Sequence, residues 1–187
     1  REPTPWYQHE EIGYNYRMSN IVAGIGRGQL LHLDEHCALK EKIYRRYEEA
    51  FKGLPVKMNP YLPDSKPNFW LSCMIIDEEA MCRQVRDENQ ELYIHEDGKS
   101  CPAEILEKLA EMNAEGRPIW KPMHLQPVFA DRDFISVGDC VGEDIFARGL
   151  CLPSDIKMTA DEQQRVIDVV RGFFKCYFRS FPQFQHF

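Results

Sequence analysis

Chemistry-bearing side chains crowd one stretch of this 187-residue chain, "RPIWKPMHLQPVF" from Arg117 to Phe129, where Trp120, Lys121, His124 and Gln126 are interleaved with three prolines. An ammonium, an imidazole, a carboxamide and an indole offer a cation, a titrating base, a paired donor and acceptor, and a flat apolar face. Each proline fixes its own φ and pushes the preceding residue out of the α region, so the four side chains stand on backbone with few accessible conformations. The segment reads either as a stiff binding wall or as a surface connection whose prolines only end a strand.

A second concentration lies at "EIGYNYRMSNI". Tyr14, Asn15, Tyr16 and Arg17 precede a helix start, where free amides and the positive end of the helix dipole favour anions. An amide donor and a guanidinium there could hold phosphate or carboxylate. Equally, the tyrosines could pack the loop on its own core. "HLDEH" spaces His32 and His36 four apart, beside Cys37, which could grip a metal. It lacks a Glu next to the first His, and a helix break is expected near Asp34, so these read as surface histidines and no metal is expected. "GIGRG" lies inside a helical pattern, not between a strand and a helix start, so its glycines serve close helix packing in preference to a phosphate cradle. No Ser or Cys has a nucleophile's surroundings, and no carboxylate pair stands out.

The elements that must position these groups follow from periodicity. Ser19 to Leu33 predicts a helix capped by Ser19 or Asn20, with Ile21, Ile25, Leu30 and Leu33 near the helical period. Asp34 is expected to cap a second helix running to about Lys52, with Leu39, Ile43, Tyr47 and Phe51 on one side. "NFWLSCMIID" reads as a buried strand, and the charged stretch from Glu78 to Lys99 as an exposed excursion with an Asp-Gly turn and an edge strand at "ELYIH". "PAEILEKLAEMNAEG" predicts an amphipathic helix with Pro102 near its start and Gly116 past its end, delivering the chain into a strand at "RPIW". "GEDIFARG" predicts a short helix with a glycine stop, followed by a short apolar segment. Thr159 and Glu162 form a capping box for a last helix striped by Val166, Ile167, Val170, Phe173, Phe174 and Tyr177. The sum is an α/β domain with a small sheet covered by helices.

Composition narrows the classes. A formal net charge of -7, with basic residues interleaved with acids, argues against a nucleic-acid partner. No apolar run approaches the roughly 20 residues that span a bilayer, so no membrane insertion is expected. Seven cysteines without a Cys-x-x-Cys pair indicate neither a zinc knuckle nor a disulfide framework, and point to a reducing cytoplasm. The opening "REPTPWYQHEE" has neither initiator Met nor signal-peptide regions, and reads as something other than a natural beginning.

Three motifs in order, "GYNYRMSNIVAGIGRGQLLHLDE", "RPIWKPMHLQPVF" and "FARGLCLPSD" with Met158, Thr159 and Glu162 following, resemble the C-terminal half of the DegT/StrS-type sugar aminotransferases over about Glu11 to Arg171. The resemblance implies the small C-terminal domain of fold-type I enzymes that use pyridoxal 5'-phosphate (PLP), with a small mixed or antiparallel sheet covered by helices after a long helical segment. Residues 1–52 would form the cofactor loop and a helical unit packing on a large N-terminal domain; 53–187 would form the small α/β domain. The implied activity is amination of a nucleotide-linked 4-keto-6-deoxy sugar, with glutamate as donor, in a homodimer making glycan or cell-surface polysaccharide precursors. Asn15, with Tyr14 and Arg17, would hold the PLP phosphate of the neighbouring subunit, while His124, Trp120, Lys121 and Gln126 would line the nucleotide-sugar site. The family's Schiff-base Lys belongs to the large domain, so no catalytic residue is expected in this chain, which should be inert alone. A non-catalytic sugar-nucleotide-binding or subunit-interaction domain is the alternative. The charged stretch from Cys82 to Lys99 is longer than the family pattern implies.

Overall fold

The computed structural model describes residues 2–87 and 89–175. The Ser19 hydroxyl accepts a hydrogen bond from the Val22 amide at 3.3 Å and so caps α1 (Asn20–Leu30), a helix that buries none of its residues. A turn at Leu31 and His32 leads into α2 (Leu33–Ala50). His32, not Asp34, holds the N-cap position; Asp34 lies inside the first turn, where its carboxylate complements the positive end of the helix dipole.

The remaining elements are β1 (Val56–Met58), β2 (Ser72–Ile76), β3 (Gln84–Arg86), β4 (Glu91–Tyr93), α3 (Pro102–Glu111), β5 (Arg117–Pro118), α4 (Val141–Arg148), β6 (Gly149–Leu152) and α5 (Ala160–Phe173). The main sheet runs β1-β2-β6-β5, antiparallel throughout, and β3 pairs with β4 as a separate hairpin. Alternation along β2 sends Met74 and Ile76 inward beside Leu150 and Leu152. Helices cover that face with Ile43, Tyr47 and Phe51 of the α2 end, Ile105 and Leu109 of α3, and Val166, Ile167, Val170 and Phe174 of the α5 region. The Thr159–Glu162 capping box forms as read from the sequence; Tyr177 lies outside the described residues. Among the described residues no helix is long and apolar enough to cross a membrane.

Several local expectations are corrected. The strand within "NFWLSCMIID" takes in only Ser72–Ile76, because Phe69 turns the chain at a φ of 50° and leaves Trp70 exposed. Three-residue β1 was too short to show a period. α3 ends at Glu111, where Asn113 reverses the chain in the left-handed region at a φ of 58°, ahead of Gly116. Gly116 is required by packing: a Cβ there would lie 2.6 Å from Leu106 Cδ2 and 3.1 Å from the Cys151 carbonyl oxygen. The "RPIW" strand shortens to Arg117–Pro118. The stretch from Glu78 to Lys99 is not simply exposed, since Ala80 and Cys82 are buried. Within it Arg86 donates to Glu91 at 2.6 Å and sits against the Trp6 and Phe146 rings. The Asp97–Gly98 turn forms, with Gly98 at a φ of 79°.

Candidate functional site

Beyond β5 the proline-rich stretch makes two short 3-10 turns, Met123–Leu125 and Pro127–Phe129. The Gln126 carboxamide is central to holding it against the N-terminal segment. Gln126, 5% exposed, donates through Nε2 to the Tyr7 and Lys121 carbonyls at 2.9 and 3.2 Å, while its Oε1 accepts the His9 amide at 3.0 Å. The Val128 amide adds a bond to the His9 carbonyl at 3.1 Å. Gln8 Oε1 accepts from both Trp6 Nε1 at 3.0 Å and Lys121 Nζ at 2.6 Å. Gln126 and Lys121, both expected to line a ligand site, therefore also fasten residues 6–9 to the wall.

Trp120 presents a different surface. Its ring lies 6.3 Å from Tyr7 at an interplanar angle of 14° and 5.9 Å from Trp70 at 36°. Arg117 Nη1 donates to the Tyr7 hydroxyl at 2.7 Å. The two tryptophans remain largely open to solvent, so the structure assembles an aromatic platform from three separated parts of the chain. His124 is more enclosed. Its ring stacks on Phe134 with centroids 3.7 Å apart, and Nε2 lies 2.8 Å from Glu143 Oε1 and 3.7 Å from Cys140 Sγ. The imidazole, and to a lesser degree the Cys140 thiol, hold the Glu143 carboxyl below the ordinary carboxylate range.

The Asn15 loop is exposed throughout. Asn15 Oδ1 accepts the Arg17 amide at 2.9 Å and stabilises Arg17 at a φ of 67°, a conformation that costs a non-glycine residue energy. Tyr14 and Tyr16 rings lie 6.2 Å apart at the surface. The loop leaves the wall at His9, six residues before Asn15, so a fully extended path would span roughly 20 Å at most. Wall and loop are thus neighbours along one short tether, and nothing described brings them into direct contact. His32 and His36 stack at 6.0 Å, with His32 Nδ1 3.4 Å from Glu35.

Another cleft, of about 660 Å³, is lined by Lys40, Met112, Arg117, Cys151, Ser154 and Arg165 among others. Burial lowers the pKa of Lys40, with Asp155 opposing that shift, and its ammonium donates to the Ser154 carbonyl. That engagement holds Lys40 as a structural donor. Tyr7, Gln8, Trp70, Cys140 and Glu143 escaped the sequence reading; among them only Trp70, following a proline-rich stretch, carried any local signal.

Comparison with known proteins fixes the lineage. Residues 1–171 match the DegT/DnrJ/EryC1/StrS aminotransferase family. The chain belongs to that family. It is 42% identical over 177 residues to EpsN of Bacillus subtilis (strain 168), assigned as a pyridoxal phosphate-dependent aminotransferase, covering 93% of this chain and 40% of that protein. It is 26% identical to the GDP-perosamine synthase of Vibrio cholerae, covering 91% of this chain and 41% of the relative. A crystal structure of a DegT DnrJ EryC1 StrS aminotransferase from Brucella abortus shares the fold, with a TM-score of 0.65 at 22% identity over 90% of this chain and 39% of that one. The small antiparallel sheet under helices is accordingly the small-domain fold of these enzymes, and the chain spans about 40% of the length of the curated relatives it matches.

PLP is the cofactor of the family. Its phosphate suits the 14–17 loop: Asn15 Oδ1 is engaged by backbone, which leaves the amide NH2 as donor beside an exposed guanidinium and two exposed phenols.

Proposed function

We propose that the protein of which this chain forms part transfers an amino group from glutamate to the keto carbon of a nucleotide-linked 4-keto-6-deoxy sugar, in the cytoplasm, for polysaccharide or glycan precursors. The observation that carries this reading is the wall. It offers an aromatic platform at Trp120, a cation at Lys121 and an imidazole at His124, all on backbone fixed by prolines and by Gln126, which lowers the ordering cost of binding a bulky anionic ligand. The name of the Vibrio cholerae relative supports a nucleotide-linked amino sugar as product.

In this reading Asn15, with Tyr14 and Arg17, holds cofactor phosphate across a homodimer interface. Trp120, Lys121 and His124 orient the sugar nucleotide, and Gln126 acts through them by holding the wall. PLP supplies the electron sink when bound. The lysine that moves the proton lies in the family's large domain, so residues 1–187 alone carry out no transamination. Residues 1–52 pack on that large domain and 53–187 form the small one; the division falls at the end of α2, whose last turns share the small domain's core.

The test uses the full-length protein with PLP, glutamate and a nucleotide-linked 4-keto-6-deoxy sugar, with product mass as readout. Amination by the full-length protein, none by this chain alone, and loss of PLP retention in Asn15→Ala are expected. Tight sugar-nucleotide binding without amination would replace the enzyme by a non-catalytic binding domain.

A further inference from the structure

His124, Cys140 and Glu143 converge although the first two are 16 residues apart. We infer that these three side chains form a site for a borderline-soft divalent transition metal, zinc in particular, which ties the start of α4 to the proline-bounded wall. Their ligand atoms all lie within 4.8 Å of one another, and this is the one such group of three or more among the described residues. Bonds of about 2.0 Å to nitrogen and 2.3 Å to sulfur at a tetrahedral angle place the two donors roughly 3.5 Å apart. The observed Nε2 to Sγ distance is 3.7 Å. The Nε2 to Oε1 distance of 2.8 Å is shorter than the roughly 3.3 Å of a tetrahedral nitrogen-oxygen edge. Glu143 is the exposed member of the set and can swing outward to make up the difference.

The scaffold is already fixed on both sides. His124 sits in a 3-10 turn between Pro122 and Pro127, and Phe134 stacks on its ring. Cys140 is the N-cap residue of α4 and Glu143 lies in its first turn, three residues on and so on the same helix face. The same imidazole nitrogen faces both the thiol and the carboxylate, so one metal ion can take the place of the proton they share. On binding, the Cys140 thiol proton leaves to solvent, the proton held between Nε2 and Glu143 passes through solvent to Nδ1 so that Nε2 can ligate, and thiolate plus carboxylate neutralise the divalent charge. Three protein donors leave a tetrahedral ion one further position for water or a ligand oxygen. Among the described residues the exposed His32 and His36 pair has no third donor at a common point.

Metal-free, tag-free full-length protein titrated with Co2+ should develop a near-ultraviolet thiolate-to-metal charge-transfer band at one equivalent, which Zn2+ abolishes by displacement. Cys140→Ser should lose the band while keeping the metal-free melting temperature of the parent, and Cys73→Ser with Cys151→Ser should retain it. Glu143→Gln should weaken binding by about tenfold or more. Absence of the band in the parent, its survival in Cys140→Ser, or unchanged affinity in Glu143→Gln each overturns the site. A metal on Nε2 makes His124 a ligand and leaves direct contact with the sugar nucleotide to Trp120 and Lys121; the amination reading itself stands or falls on turnover.

Discussion

Gln126 is expected to touch substrate and the geometry also makes it a fastener, and its replacement separates the two roles. Gln126→Met keeps the length of the side chain and removes both polar ends. Three hydrogen bonds disappear, to the Tyr7 and Lys121 carbonyls and from the His9 amide. At about 0.5–1.5 kcal/mol net for each bond, the loss comes to roughly 1.5–4.5 kcal/mol. The upper part of that range applies where the backbone groups stay buried without new partners; water reaching the freed segment moves the value down. Because two of the three bonds tie Tyr7 and His9 to the wall, the loss should be local before it is global: faster proteolysis and amide exchange over residues 2–9, together with a lower denaturation midpoint. The Tyr7 ring then no longer buttresses Trp120, so sugar-nucleotide affinity should fall while rotation of the wall, not a missing contact, is the cause. Gln126→Glu distinguishes the cases further, since a carboxylate can still accept from the His9 amide but cannot donate to the two carbonyls. Unchanged stability and exchange in Gln126→Met, with sugar-nucleotide binding abolished, would refute the fastener role and restore Gln126 as a direct ligand contact.

Three other perturbations test contacts elsewhere in the fold. The His95 pKa is raised chiefly by its hydrogen bond to Glu104, so its stabilisation is complete below the unfolded value of about 6.5 and disappears as pH rises through the folded value; the melting-temperature gap between parent and His95→Gln should narrow with rising pH, and a constant gap would contradict this. Gly149→Ala would set a Cβ 2.5 Å from the Ile145 carbonyl oxygen and 2.8 Å from Ile119 Cγ1, an overpacking expected to cost about 1–3 kcal/mol in denaturant unfolding. In the isolated chain, α1 amides should exchange rapidly while those of α2 near Tyr47 are protected, and equal protection would show that α1 is covered without the rest of the protein.

Legibility from sequence tracked the size of the local signal. Helices with strong caps or stripes, such as α5 with Thr159 and Glu162, were placed well because the capping groups and the buried face lie within a few residues of each other. The end of α3 was misplaced because both Asn113 and Gly116 can reverse a chain, and only packing against Leu106 shows that Gly116 has another duty. His124 and Trp120 were singled out by type and by their proline neighbours. Their partners were not, since Tyr7, Trp70, Cys140 and Glu143 reach them through tertiary closure over many residues. Periodicity has no access to contacts of that range.

The contrast between the two N-terminal helices shows where this chain's own physics stops. α2 is stabilised by Ile43, Tyr47 and Phe51 entering the sheet's core. α1 has 11 residues, none buried, and three glycines that each disfavour helix by about 1 kcal/mol relative to Ala. Isolated helices shorter than about 12–15 residues are marginal in water even in alanine-rich sequences. Ile21, Val22, Ile25 and Leu30 nevertheless repeat at helical spacing and stand exposed, a pattern that stabilises a helix only when another surface covers it. In the proposed reading the large domain covers α1 and so sets the placement of the Asn15 loop that leads into its capped N-terminus, whereas the Trp120 to Gln126 wall is set by contacts among the described residues.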